Sequence, residues 1–224
     1  MAVVSPPLRR SDERIAVNVA KTSLMDLAYE ERSDLAAFLK TLTPREWRAI
    51  SLCDEWTVKD VVAHVISYEE LSVVGLMKRF AKGRVVRANE VGVEEFASLS
   101  PEELMEFLGR HLYPQGLTAG FGGMIGLVDG TIHHQDIRRA LGRPRTVPAH
   151  RLERILPLVP TNPRLGAGRR IRGLRLQATD VAWQHGKGLE VHGTGEALLL
   201  AMTGRREAVE ELTGPGQTAL AERL

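Results

Sequence analysis

From about Lys21, apolar residues recur at three- and four-residue steps: Leu24, Leu27, Ala28, Leu35, Phe38, Leu39 and Leu42. Glu30, Glu31, Arg32 and Asp34 fall between them, so the segment reads as a helix with one buried face. Pro44 stands just past that pattern and starts a short turn of its own. The stretch "DEWTVKDVVAHVISYEELSVVGLMKRF" predicts a second helix with a well-marked start. Thr57 is placed as its cap, Asp60 as the capping-box partner, and Trp56 and Val61 as a hydrophobic staple. The phase so set puts His64 beside Val61, Tyr68 and Leu71, facing inward. Residues 81–99 are polar and irregular. Ser100-Pro101-Glu102-Glu103 opens a third helix that runs to about Leu112.

A fourth helix runs from about Gly123 to Leu141, with Gly142 in the position after its end and Pro144 blocking continuation. The glycines at 120, 122 and 123 do not make a phosphate loop, since no strand precedes them and no lysine follows in register. They read as a tight interhelical turn. A shorter helix covers 148–158. Four main helices on short connections describe a helical bundle. After Pro163 the pattern changes to alternation at Ile171, Leu174 and Leu176, with turn glycines at 186, 188 and 193. That predicts two or three short strands. "GEALLLAMTG" and "REAVEELTG" follow as two helices, each closed by a glycine. The expected organisation is a loose arm over 1–20, a helical bundle over 21–160 and a small α+β region over 164–224.

Composition narrows the class. The chain has 224 residues, 43% apolar and 26% charged, with a net charge of +2. So small a charge does not point to nucleic acid or an anionic membrane as the partner. No apolar run approaches the roughly 20 residues that span a bilayer. The start, "MAVVSPPLRRSDER", has no apolar core behind its charges, so it does not read as a signal peptide. A single cysteine, Cys53, excludes an internal disulfide and fits a reducing compartment. The expectation is a soluble, cytoplasmic protein.

Candidate chemistry concentrates in "LVDGTIHHQDIRRALGRPR", residues 127–145. Asp129, His133 and Asp136 are spaced four and three apart and share one helix face. Facing helices of a bundle aim side chains into a common core. Inward-facing His64 together with Asp129 and His133 therefore makes either a hydrogen-bonded core feature or three N/O ligands of a metal with a fourth position open. Asp136 is placed to orient His133 through its other ring nitrogen, or to cap backbone. His134 lies about a quarter-turn away and reads as peripheral. Cys53 reads as a small packing residue with no histidine set beside it by the sequence. Arg164, Arg169, Arg170, Arg172 and Arg175 fit either an acidic substrate or a solvated strand edge.

"LCDEWTVKDVVAHV" together with "IHHQDIRRALGRP" resembles the mycothiol-dependent maleylpyruvate isomerase family of the DinB-like four-helix bundles. The tail "GLRLQATDVAWQHGKGLEVHGTGEALLLAMTGR" looks like the small C-terminal region that many members carry. The resemblance implies a mostly α fold, a DinB-like bundle with a small C-terminal α+β appendage. It also implies a divalent metal, typically zinc, on His64, Asp129 and His133, with mycothiol supplying a thiol to the open position. The family pattern usually has glutamate where this chain has Asp129. The function implied is a metal-dependent, mycothiol-using transferase or isomerase acting on a small electrophile. The alternative is a DinB-like metal protein without thiol transfer, either a hydrolase or a noncatalytic stress or sensor protein. The partners expected are a small-molecule substrate and the thiol, with a homodimer left open.

Overall fold

The helix starts are set by side-chain caps. In a computed structural model that describes residues 22–53, 56–83 and 87–224, Ser23 caps α1 (Leu24–Leu39) and a Thr43–Glu46 capping box starts α2 (Pro44–Trp47). A Thr57–Asp60 box starts α3 (Val58–Ile66), and a Ser100–Glu103 box with Pro101 inside it starts α6 (Pro101–Arg110). Each box satisfies two otherwise orphaned groups at a helix terminus. The arm expected over 1–20 lies outside the described residues.

The stretch expected to run on from Thr57 as one helix is divided. α3 ends at Ile66, and Ser72 caps a new helix, α4 (Val73–Lys82). The intervening turn lets the buried Glu69 carboxylate reach the Arg32 guanidinium at 2.6 Å, the Thr118 hydroxyl at 2.5 Å and the Gln115 backbone N–H at 2.7 Å. A continuous helix would forgo those three partners. Within the polar stretch expected to be irregular, Ala88–Phe96 forms α5. It buries only Ala88, Val91 and Gly92 and has no side-chain cap, so neither a broad apolar stripe nor a start signal announces it.

α1, α3, α6 and α7 (Met124–Ala140) make a four-helix bundle in which α1 and α3 each pack against both α6 and α7. Gly123, at φ +92°, begins α7 against α1; a Cβ there would sit 2.7 Å from the Met25 Cα, so the approach requires glycine. Gly142, at φ +63°, turns the chain out of α7 with its N–H on the Arg139 carbonyl. After α8 (Ala149–Ile155) and α9 (Ala167–Arg170) comes a three-stranded sheet of order β2-β1-β3. β1 (Leu174–Ala178) pairs antiparallel with β2 (Gln184–Gly186) and parallel with β3 (Leu189–Gly193). β1 alternates buried and exposed residues, as a half-covered strand must. α10 (Gly195–Met202) covers the sheet, and α11 (Gln217–Ala221) closes the chain. "REAVEELTG" forms a 3₁₀ turn at Arg206–Glu211 and then a bridge from Thr213 to His192, not the expected α-helix.

Two apolar clusters form. One holds Leu35, Phe38, Val61, Val62, Ile66, Leu104, Leu108 and Ile137 between the bundle helices. The other joins Leu27, Leu127, Val128 and Ile132 of the bundle to Leu174, Leu176, Val191 and the whole of Leu198–Met202. α7 is therefore covered by both parts of the chain, and Gly126–Val128 and Gly130–Ile137 are all buried. Among the described residues no helix is long and apolar enough to cross a membrane.

Candidate metal centre

The loop before α3 is closed by a bridge between Ile50 and Thr57 and by the Ser51 N–H on the Trp56 carbonyl. Together with the Thr57 cap it fixes the phase of α3, which turns the buried His64 ring toward α7. Asp129 and His133 meet it there, one turn apart on α7. The His64 Nε2 lies 3.5 Å from the Asp129 Oδ2, and the His133 Nε2 lies 3.5 Å from the Asp129 Oδ1. The two imidazoles stand nearly perpendicular with centroids 4.7 Å apart. The three ligand atoms all lie within 4.8 Å of one another.

Those separations are long for hydrogen bonds. They suit donors around an ion: two ligands about 2.1 Å from a tetrahedral metal lie about 3.4 Å apart. A buried donor set of two imidazoles and one carboxylate fits zinc or a similar divalent ion. Among the described residues the buried His64 Nδ1 has no hydrogen-bond partner, the mark of a ring not recruited into a closed polar network. Asp129 retains 34% of its side-chain exposure, so the cluster opens on that side.

Electrostatics point the same way. Burial works against the Asp129 carboxylate, yet the His133 and His64 imidazoles beside it hold it well below the usual range. Burial likewise works against a charged His133, but Asp129 and Asp136 push its pKa well above the ordinary value. Asp129 and Asp136 thus favour a positive charge on the His133 ring. The other face of His133 is held: its Nδ1 meets the Asp136 Oδ2 at 2.9 Å. Asp136 is itself fully buried and clamped by Arg205, whose Nε–H donates to Oδ1 at 2.8 Å while an Nη donates to Oδ2. A carboxylate behind a ligating histidine fixes the ring's tautomer and orientation. The walls are aromatic: Trp56 lies 5.2 Å from the His64 ring centroid and Tyr68 lies edge-on at 6.4 Å.

Comparison with known proteins bears on this arrangement. Residues 28–112 match the family model described as the mycothiol maleylpyruvate isomerase N-terminal domain. The crystal structure of a mycothiol-dependent maleylpyruvate isomerase superposes with a TM-score of 0.58 at 16% identity, over 89% of this chain and 95% of that one. A histidine-to-alanine mutant of a mycothiol-dependent maleylpyruvate isomerase superposes with a TM-score of 0.54 at 15% identity, over the same shares. No curated protein matches the chain at the sequence level. The maleylpyruvate isomerase fold thus extends through the C-terminal sheet, whereas the family match includes His64 and stops before Asp129 and His133.

Three side chains sit where the sequence did not place them. His134, expected at the periphery, is fully buried. α7 is enclosed on nearly every side, so a quarter-turn from His133 leads to α1 and not to solvent. Cys53 does have a histidine beside it: its Sγ lies within 4.8 Å of ligand atoms of His133 and Asp136. The loop brings it there, with the Leu52 N–H on the Asp136 carbonyl. Arg205, 69 residues beyond Asp136, carried no local signal at all.

Proposed function

We propose that the chain is a divalent-metal-dependent, thiol-using isomerase or transferase of small electrophiles, with mycothiol as the thiol and His64, Asp129 and His133 as the metal ligands. The observation that carries this reading is the cluster itself: two imidazoles turned onto one half-open carboxylate, with donor spacings of an ion site. The family match over residues 28–112 and the shared fold support the thiol and the isomerase class. When bound, the metal supplies Lewis acidity that favours the thiolate, and the thiol supplies a nucleophile able to add reversibly to an activated double bond.

The chain's own residues do the positioning. Asp136 accepts from His133 and keeps its Nε2 directed at Asp129. Arg205 neutralises Asp136, so that the orienting carboxylate adds no net charge behind the ligand. Trp56 and Tyr68 pack against the His64 ring and hold it in place.

The test is metal analysis of purified protein combined with turnover of maleylpyruvate with and without mycothiol. About one equivalent of divalent metal and a strictly thiol-dependent rate, abolished by a chelator, are expected. A metal-dependent hydrolytic activity without thiol would replace this reading with the hydrolase alternative.

A further inference from the structure

α4 turns an apolar face to solvent. Its inner side is set by Arg79, buried with its guanidinium on Glu95 and on the Ser67 carbonyl, and by the half-buried Leu76 and Phe80. At 3.6 residues per turn, Val73, Val74, Met77 and Ala81 then share the outer side within about 100° of arc, with Lys78 at its rim. Val73, Val74 and Met77 are 75%, 61% and 67% exposed. The other large apolar side chains left exposed among the described residues, Ile50, Tyr113, Phe121 and Leu189, are spread over other segments. Scattered single residues need no account, whereas a contiguous apolar helix face marks an interaction surface.

The charges around this face are sorted by sign. Glu70 lies just before α4, with its side chain 62% exposed and a carboxylate oxygen 3.3 Å from the His111 Nε2. Lys78 and Lys82 lie in the second half of the helix, and Lys82 is 63% exposed with Glu94 at 4.0 Å. A second copy of α4 laid parallel on the first would set each lysine beside its twin. Laid antiparallel about a two-fold axis at Met77, it brings Val73 and Val74 of one copy onto Ala81 of the other, large against small. The same rotation sets Lys82 of each copy beside the start of α4, and hence beside Glu70, of the other. Such a contact is self-complementary and closes at two copies.

We propose that the Val73–Ala81 face of α4 is a homodimer contact, pairing antiparallel with the same face of a second copy. An anionic bilayer is the poorer occupant, since it would repel Glu70 and since interfacial helices rely on Trp, Phe or Leu inside a basic rim. The contact is one helix of ten residues, short of the roughly 800 Å² a side of a standard stable interface. The dimer is therefore a weak one that exchanges with monomer. It stands apart from the reading of the metal centre, to which none of these residues belongs.

Sedimentation equilibrium of the full chain over about 5–500 µM tests this, because a weak dimer shows itself by its concentration dependence. Wild type should fit a monomer–dimer equilibrium. Met77→Glu puts two carboxylates together on the axis and should weaken the dimer about ten-fold or more. Lys82→Glu should weaken it less, by about three-fold, and adding Glu70→Lys to it should recover that loss. All of these positions are exposed, and circular dichroism checks that the fold is kept. Wild type that stays monomeric throughout, or Met77→Glu that associates as wild type does, would overturn the proposal. A double charge reversal that dimerises no better than Lys82→Glu alone would overturn the antiparallel pairing. Binding of monomeric wild type to phosphatidylglycerol vesicles, lost in Met77→Glu, would give the face to a membrane instead.

Discussion

His133 and His134 are consecutive on α7 and occupy opposite kinds of polar environment. His134 belongs to a closed network. Its Nδ1–H donates to the Glu31 Oε1 at 2.7 Å, and its Nε2 accepts the Arg138 Nε–H at 2.9 Å, which fixes one neutral tautomer. Burial keeps that ring's pKa below the ordinary value. Glu31 also takes Arg145 and Arg151, and both arginines reach on to Asp34. Two carboxylates face two guanidiniums, and every buried member has its partners. His133 belongs to an open cluster, where donor separations are 3.5 Å, one imidazole nitrogen of His64 has no partner among the described residues and the carboxylate is partly exposed. A saturated polar cluster in a core serves the fold, while an unsaturated one keeps donor and acceptor capacity free. The same helix, and the same residue type, supplies both.

Substitutions should split along that line. The largest effect is expected from His64→Ala, which should take the metal content of purified protein from about one equivalent to none. Without metal, that variant should lose about 2–3 kcal/mol in denaturant unfolding, as for a trimmed buried ring. Full metal retention would remove the open cluster from consideration. Next comes Glu31→Gln, which leaves Arg145 and Arg151 buried with too little negative charge. A loss of about 3–5 kcal/mol is expected, with the metal still bound by whatever protein is folded. A stability change below about 1 kcal/mol would show that the closed network is not structural.

Acid should open the closed network. Burial pushes the Glu31 carboxyl up, but His134, Arg145 and Arg151 together outweigh it and hold it at about 2. Because the folded pKa lies below the unfolded one, its contribution to stability is complete above about pH 4.5 and is lost as the pH falls toward 2. Unfolding free energy of the metal-free protein measured between pH 6 and 2 should fall steeply in that interval. The fall should be shallower in Glu31→Gln, which has no such carboxylate to protonate.

Much of the open cluster was legible from sequence because its parts are local. The Thr57–Asp60 box sets the phase of α3, and four-residue spacing puts Asp129 under His133, so only the facing of two helices had to be assumed. The closed network was not legible. Its members come from α1, α7, the loop after α7 and α8, with separations of 103 to 120 residues, and no periodicity relates them. The same holds for the Arg205–Asp136 clamp and for Cys53, whose loop is drawn to α7 by a backbone contact. The expectation of a peripheral His134 failed because helical phase gives direction only. What lies in that direction depends on the number of neighbours packed around α7.

A smaller effect is expected at Asp129. Asp129→Ala should weaken zinc about ten-fold or more in a competition titration, since one of three protein ligands is lost. Asp129→Glu should keep the metal, because one further methylene adds about one C–C bond of reach on a side that is already exposed. Equal affinity in wild type and Asp129→Ala would exclude Asp129 as a ligand.

The smallest effect belongs to Cys53, and it sharpens the comparison most. Cys53, His133 and Asp136 also lie close enough together to hold an ion. That second grouping, however, resembles the closed network more than the open cluster. Asp136 has no exposed surface, Arg205 donates to both of its oxygens, and its Oδ2 also faces the His133 Nδ1. Asp136 already meets three partners across its two oxygens, so a metal there would compete directly with Arg205. Cys53 should therefore be a neighbour of the centre and neither a ligand nor the nucleophile. Cys53→Ser should keep about one equivalent of zinc, and its thiol-dependent kcat/KM should stay within about two-fold of wild type. Loss of zinc in that variant would move the metal to the Cys53 side of His133. Loss of turnover with zinc retained would place the reacting thiol in the protein instead of in the cofactor.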